Sequence, residues 1–89
     1  MKIRKENALS EFKKIPSVGV KIAEDLWQLG IRRTADLKNK NPELLYEQLC
    51  FQSGYKVDRC MLYVLRTAVY YTSNIRHDPE KLKWWNWKD

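Results

Sequence analysis

Seven residues, Ile15-Pro16-Ser17-Val18-Gly19-Val20-Lys21, hold the clearest chemical opportunity in the sequence. Pro16 cannot continue a helix, and it pushes Ile15 into extended backbone, so a preceding helix must stop there. Ser17, Val18 and Gly19 form a turn in which Gly19 is free to take positive φ. A new helix is expected from Val20 onward. The first backbone N–H groups of a helix lack intrahelical partners, and the helix dipole is positive at that end. A turn of this kind entering a helix is therefore an expected anion site, and Gly19 lets a ligand approach the backbone closely. Lys13, Lys14 and Lys21 add charge beside it; Arg32 and Arg33, just past the helix, are further candidates to clamp a phosphate. The expected contact set is thus Lys13, Lys14, Ser17, Val18, Gly19, Val20, Lys21, Arg32 and Arg33. Such contacts fix position on a polyanion and carry no base information. The alternative is an ordinary helical hairpin in which Val18 only packs beneath the turn.

A second constellation lies near residue 89. Trp84, Trp85 and Trp87 are interleaved with Lys81, Lys83 and Lys88. Tryptophans beside lysines can stack on unpaired bases, at about 1–3 kcal/mol per base. They can equally anchor a protein partner. The structural alternative is that one or two fold back as a lid over the core, which a small domain gains much from.

Catalytic groups are scarce. His77 is the single histidine. Cys50 and Cys60 have no Cys or His at metal-ligand spacing, and both fall in apolar helical contexts where thiols are expected to be buried and inert. Glu24, Asp25 and Glu43 read as solvated helix faces. No glycine-rich nucleotide loop is present. A lyase reaction through Lys21 would need a base pocket that so short a chain does not house. The expectation is a non-enzyme with no metal, cofactor or small-molecule substrate.

The elements that must position these residues follow from periodicity. Helix 1 is expected over 8–14, with Leu9 and Phe12 inward. Helix 2 runs over 20–29, with Ile22, Ala23, Leu26 and Leu29 as its apolar stripe, Gly30 at C′ and Ile31 folding back. Thr34 would cap a short helix 3 to about residue 40. Asn41-Pro42-Glu43 is the strongest helix start in the chain; helix 4 carries Leu44, Leu45, Leu49 and Phe51 inward and ends at Ser53-Gly54. Helix 5 starts near the cap Asp58 and runs to about residue 72. It is apolar around most of its circumference, with Cys60, Met61, Val64, Leu65, Ala68 and Tyr71 facing the core, and so should be central. Arg66 is expected to pair with Asp58 or with a helix-4 acid such as Glu47. Asp78-Pro79-Glu80 repeats the cap signature. Helix 4, the loop 52–57 and helix 5 form a weaker echo of the first hairpin, with a longer turn.

The 89 residues suit one domain. We divide them into an arm (1–7), a helical domain (8–75) and a tryptophan-rich tail (76–89). A net charge of +6, from 17 Lys and Arg against 11 Asp and Glu, favours polyanionic partners. No apolar stretch follows the charged N-terminus and none reaches the length of a membrane span, so a cytoplasmic protein without membrane contact is expected.

Phe12 to Leu26, with Pro16, Val18, Gly19, Lys21 and Ala23 on the pattern and Leu29, Gly30 and Ile31 continuing it, resembles the helix-hairpin-helix DNA-binding family. Ser17 departs from it, standing where that family usually has glycine. More narrowly, Leu49-Cys50 to Tyr71 (with Gly54, Asp58-Arg59-Cys60, Leu62-Tyr63 and Arg66) and Lys83-Trp84-Trp85-Asn86-Trp87 resemble the small bacterial pathogenicity-locus family, whose members are often labelled mitomycin-resistance proteins. The resemblance implies an all-α, SAM-like bundle of about five short helices with one good hairpin and a degenerate second unit. It also implies a link to DNA damage. The expected function is non-specific DNA binding through phosphates, with a protein-interaction role of the tail as the rival.

Overall fold

The computed structural model describes residues 3–89. Among them are four α-helices and three short 3₁₀ helices, with no strand: α1 (Lys5–Phe12), α2 (Val20–Gln28), η1 (Thr34–Leu37), α3 (Pro42–Ser53), α4 (Cys60–Ser73), η2 (Pro79–Leu82) and η3 (Trp84–Trp87). The all-α expectation stands. The expected helix 3 is a single 3₁₀ turn rather than an α-helix.

α1 begins at Lys5, inside the segment read as an arm; residues 1 and 2 of that segment lie outside the described residues. Ala8 and Phe12, one turn apart, are buried, and Ile3 packs beside them, so the core fixes the first turn. The helix ends at Phe12 rather than Lys14. Lys14 and Ile15 donate to Glu11 and Phe12, three residues back, which tightens the chain before Pro16.

α2 follows its expected stripe, with Ala23 and Leu26 fully buried, Leu29 nearly so and Ile22 partly covered. Its C-terminus is a Schellman motif. Gly30, at φ 92°, donates to the Trp27 carbonyl, Ile31 donates to that of Leu26, and Leu26 and Ile31 are both buried. η1 is held by the Asp36 carboxylate, which accepts from the N–H groups of Arg32 and Arg33, both at 3.0 Å. Asp36 thus does the capping expected of Thr34.

α3 starts as its sequence dictates: Asn41 Oδ1 accepts from the N–H of Glu43 at 2.9 Å, with Pro42 in the first turn. It ends at Gly54, whose φ of 76° suits a glycine C-cap. Its buried residues are Leu45, Tyr46 and Leu49; Leu44 and Phe51, expected inward, are 61% and 88% exposed. At 3.6 residues per turn, Leu44 and Phe51 share a face roughly opposite that triplet.

α4 is the central helix as expected, with Met61, Leu62, Val64, Leu65, Thr67 and Ala68 buried. Burial of each large aliphatic side chain contributes about 1.5–3 kcal/mol. The Thr67 hydroxyl, wholly enclosed, donates to the Tyr63 carbonyl at 3.0 Å and leaves no orphaned polar group. α3, η1, η2 and η3 pack around α4, while α1 packs on α2 and η1. Cys60 is a correction. It is the first residue of α4 and is exposed; Cys50 is half-buried, and both thiols are free. A hydrogen bond with the Asp58 carboxylate pushes the Cys60 thiol pKa up, which keeps its thiolate fraction low. No helix among the described residues is long and apolar enough to cross a membrane.

Candidate nucleic-acid interface

Ile15 to Val18 form a hydrogen-bonded turn, with Val18 N–H donating to the Ile15 carbonyl at 3.1 Å. Pro16 stands second and Ser17, at φ 72°, stands third, the pattern of a type II turn. The left-handed backbone expected of Gly19 therefore falls on Ser17. Gly19 is extended instead, with φ −97° and ψ −167°. A non-glycine residue in the left-handed region is strained by about 1–3 kcal/mol, and that strain sits where the helix-hairpin-helix pattern usually has glycine.

Gly19 is the N-cap of α2, and no side chain among the described residues caps that end. Gly19, Val20 and Lys21 are exposed, so the start of the helix faces solvent with its amides open. A Cβ added at Gly19 would meet nothing within 4 Å. Val18 plays a different part. Its side chain is buried and its amide is spent on the turn, so it holds the loop to the core and leaves the amides after it available.

Lys13, Lys14 and Lys21 are all exposed. Lys14 makes an exposed pair with Glu11 at 3.0 Å. Lys21 stands one turn before Asp25, whose carboxyl pKa is raised by burial against the pull of Lys21. Arg32 and Arg33 lie beyond the other end of α2, about 13 Å along its axis. Arg32 is committed there: its guanidinium lies 3.6 Å over the Trp27 ring and donates to the Trp27 carbonyl at 2.7 Å. Arg33 is exposed. The nine expected contact residues therefore divide: Ser17 to Lys21 form the turn and the open start of α2, Lys13 and Lys14 precede the turn at the end of α1, and Arg32 and Arg33 lie beyond the other end of α2.

Comparison with known proteins covers more than this hairpin. The model of a family described as "Pathogenicity locus" matches residues 5–89. The chain belongs to the pathogenicity locus family. It is also similar to the mitomycin resistance protein McrB of Streptomyces lavendulae, at 27% identity over 78 residues, spanning 88% of this chain and 70% of that protein. No solved structure matches the chain.

The pathogenicity locus match includes the tail, and the structure shows it folded onto α4. Trp84 packs against the core and meets Trp85 edge-on at 5.8 Å. Trp87 leans on Tyr70 at 5.7 Å, and its indole N–H donates to the Lys81 carbonyl at 2.7 Å. Trp85 is the most open of the three, at 50% exposure. Arg66 ties the tail down. It bonds Glu43 (2.9 Å), Asp89 (3.0 Å) and the Trp87 carbonyl (2.7 Å). Its α3 partner is thus Glu43, one turn before the expected Glu47, and Asp58 is not a partner. Arg59 also bonds Asp89, through Nε at 2.6 Å. The hydrogen bond from Arg59, then that from Arg66, holds the Asp89 carboxyl below its ordinary pKa. The tryptophans therefore do not form an open three-ring platform. Among the described residues, no three His, Cys, Asp or Glu side chains are grouped to hold a metal ion.

Proposed function

We propose that this chain is a small helix-hairpin-helix module that grips DNA backbone phosphates at the start of α2 and does not read base sequence. The observation that carries the reading is the uncapped, solvent-facing N-terminus of α2, entered through a type II turn, with exposed Lys21 in its first turn and exposed Lys13 and Lys14 just before the turn. Three or four open amides at the positive end of a helix dipole suit a phosphate oxygen. Exposed Gly19 presents no side chain to keep a phosphate away. The net charge of +6 adds long-range attraction. Affinity is weak for one copy and falls steeply with salt. The family relation to a protein named for mitomycin resistance fits a role beside damaged DNA. The reading involves no catalytic step, cofactor or metal, and a cytoplasmic site of action.

The test is a titration of isotope-labelled protein with short duplex and single-stranded DNA at low and moderate salt, following backbone amide shifts. The expected result is shifts confined to Ser17–Ala23 and neighbouring lysines, lost as salt rises. Unmoved hairpin amides, or absence of binding at low salt, would overturn it. A second reading, protein docking, is favoured by one observation: Leu44 and Phe51 place a bare apolar face on α3, with Tyr55 just beyond and also exposed. In that case DNA leaves the spectrum unchanged.

A further inference from the structure

A cleft of about 400 Å³ opens beside the turn, lined among others by Glu11, Lys14, Ile15, Thr34, Lys38 and Tyr71. It lies where α1, η1 and α4 meet, and Ile15, the first residue of the hairpin turn, forms part of its wall. A β-turn keeps its first and fourth Cα atoms within about 7 Å. The buried wall of the cleft at Ile15 is therefore one turn-width from Val18, which immediately precedes Gly19 at the open start of α2.

We infer that this cleft seats the backbone phosphate adjacent to the one held at the α2 start, with Lys38 as its charged contact; this rests on the phosphate-binding reading above. The chemistry of the cleft is that of an anion site. Lys38 is exposed and has no ion-pair partner among the described residues. Thr34 and Tyr71 also belong to its lining. The only acid in the lining, Glu11, is occupied by Lys14 in an exposed pair. Such a pair is worth about 0–1 kcal/mol, so Lys14 can exchange Glu11 for a phosphate at little cost. Lys14 and Lys38 then line the second phosphate position, while Lys21 stands in the first turn of α2 at the first. Arg32 and Arg33, at the far end of α2, take no part in this path.

The experiment is fluorescence anisotropy of a labelled 20-bp duplex against the wild type and single variants at several salt concentrations. Lys38→Ala is compared with Lys40→Ala, which removes the same charge two residues away and outside the cleft lining, and with Lys21→Ala, which tests the hairpin itself. The expected result is that Lys38→Ala and Lys21→Ala each lower the slope of log affinity against log salt by about 0.9. Lys40→Ala leaves it near wild type, and Lys38→Arg restores it. If Lys21→Ala lowers the slope while Lys38→Ala matches Lys40→Ala, the cleft assignment is overturned and the hairpin reading stands. If the wild type binds no duplex at low salt, the hairpin reading falls and the cleft assignment with it.

Discussion

The chain contains two helix-turn-helix units, and they treat their second helix in opposite ways. In the first, α2 starts at a bare glycine with its amides facing solvent. In the second, α4 starts beside Asp58, whose Oδ1 accepts from the Cys60 N–H at 2.9 Å. That carboxylate is an anion supplied by the protein itself, and the bond to Cys60 holds its pKa below the ordinary value. The second unit is closed and carries the central core helix. The first is open at the equivalent place and has exposed Lys21 in its first turn. The same local device, a positive helix end, is spent on stability in one unit and left available in the other.

The largest expected effect tests the structural side of this contrast. Leu65→Ala removes a wholly buried side chain of α4 and should cost about 2–5 kcal/mol in chemical denaturation. A cost below 1 kcal/mol would remove α4 from the centre of the core. Next comes closing the open end. Gly19→Asp places a carboxylate at the α2 N-cap, where the backbone is extended and a Cβ has room. It should stabilise the protein by a few tenths of a kcal/mol, because Gly is already a fair cap, while weakening duplex binding about tenfold or more in anisotropy. Unchanged affinity would break the comparison.

Ser17→Gly should raise stability by up to about 1 kcal/mol in denaturant melts, by relieving the left-handed backbone at φ 72°. The smallest effect concerns acid. Asp58 and Asp89 both have lowered pKa values in the fold, so the stability they contribute is in place above the ordinary carboxylate pKa of about 3.9. It fades as pH falls below that value and through their lowered ones. Melting temperatures measured from pH 6 down to 2.5 should drop in that window, and Asp58→Asn should shallow the drop.

Much of the frame was legible in the sequence because it rests on local chemistry. Pro16 stops α1, Gly30 and Ile31 close α2, and Asn41-Pro42 start α3, each through atoms a few residues apart. What was not legible depends on packing. Gly19 is the more flexible residue, yet the turn required positive φ at Ser17, because Pro16 fixed the second position of a type II turn. Leu44 and Phe51 are apolar, but the phase of α3 is set by Leu45, Tyr46 and Leu49. The tail left two readings open, a contact surface or a lid over the core, because nothing local reveals that Arg66 reaches its carbonyl and carboxylate. For the candidate interface, Lys13, Lys14, Lys21 and Gly19 were visible beside the turn motif. Lys38 was not, because only the seating of η1 between α1 and α4 brings it alongside Lys14.

Arg66 has a consequence in the time domain. Its guanidinium joins Glu43 at the start of α3 to Trp87 and Asp89 in the tail, so the full set of bonds exists only once α3, α4 and the tail have met. Only the Arg66–Glu43 bond joins two of the four α-helices; the other two reach the tail. The tail bonds are then expected to close late in folding, so that Asp89→Asn should speed unfolding in stopped-flow measurements while leaving the folding rate nearly unchanged.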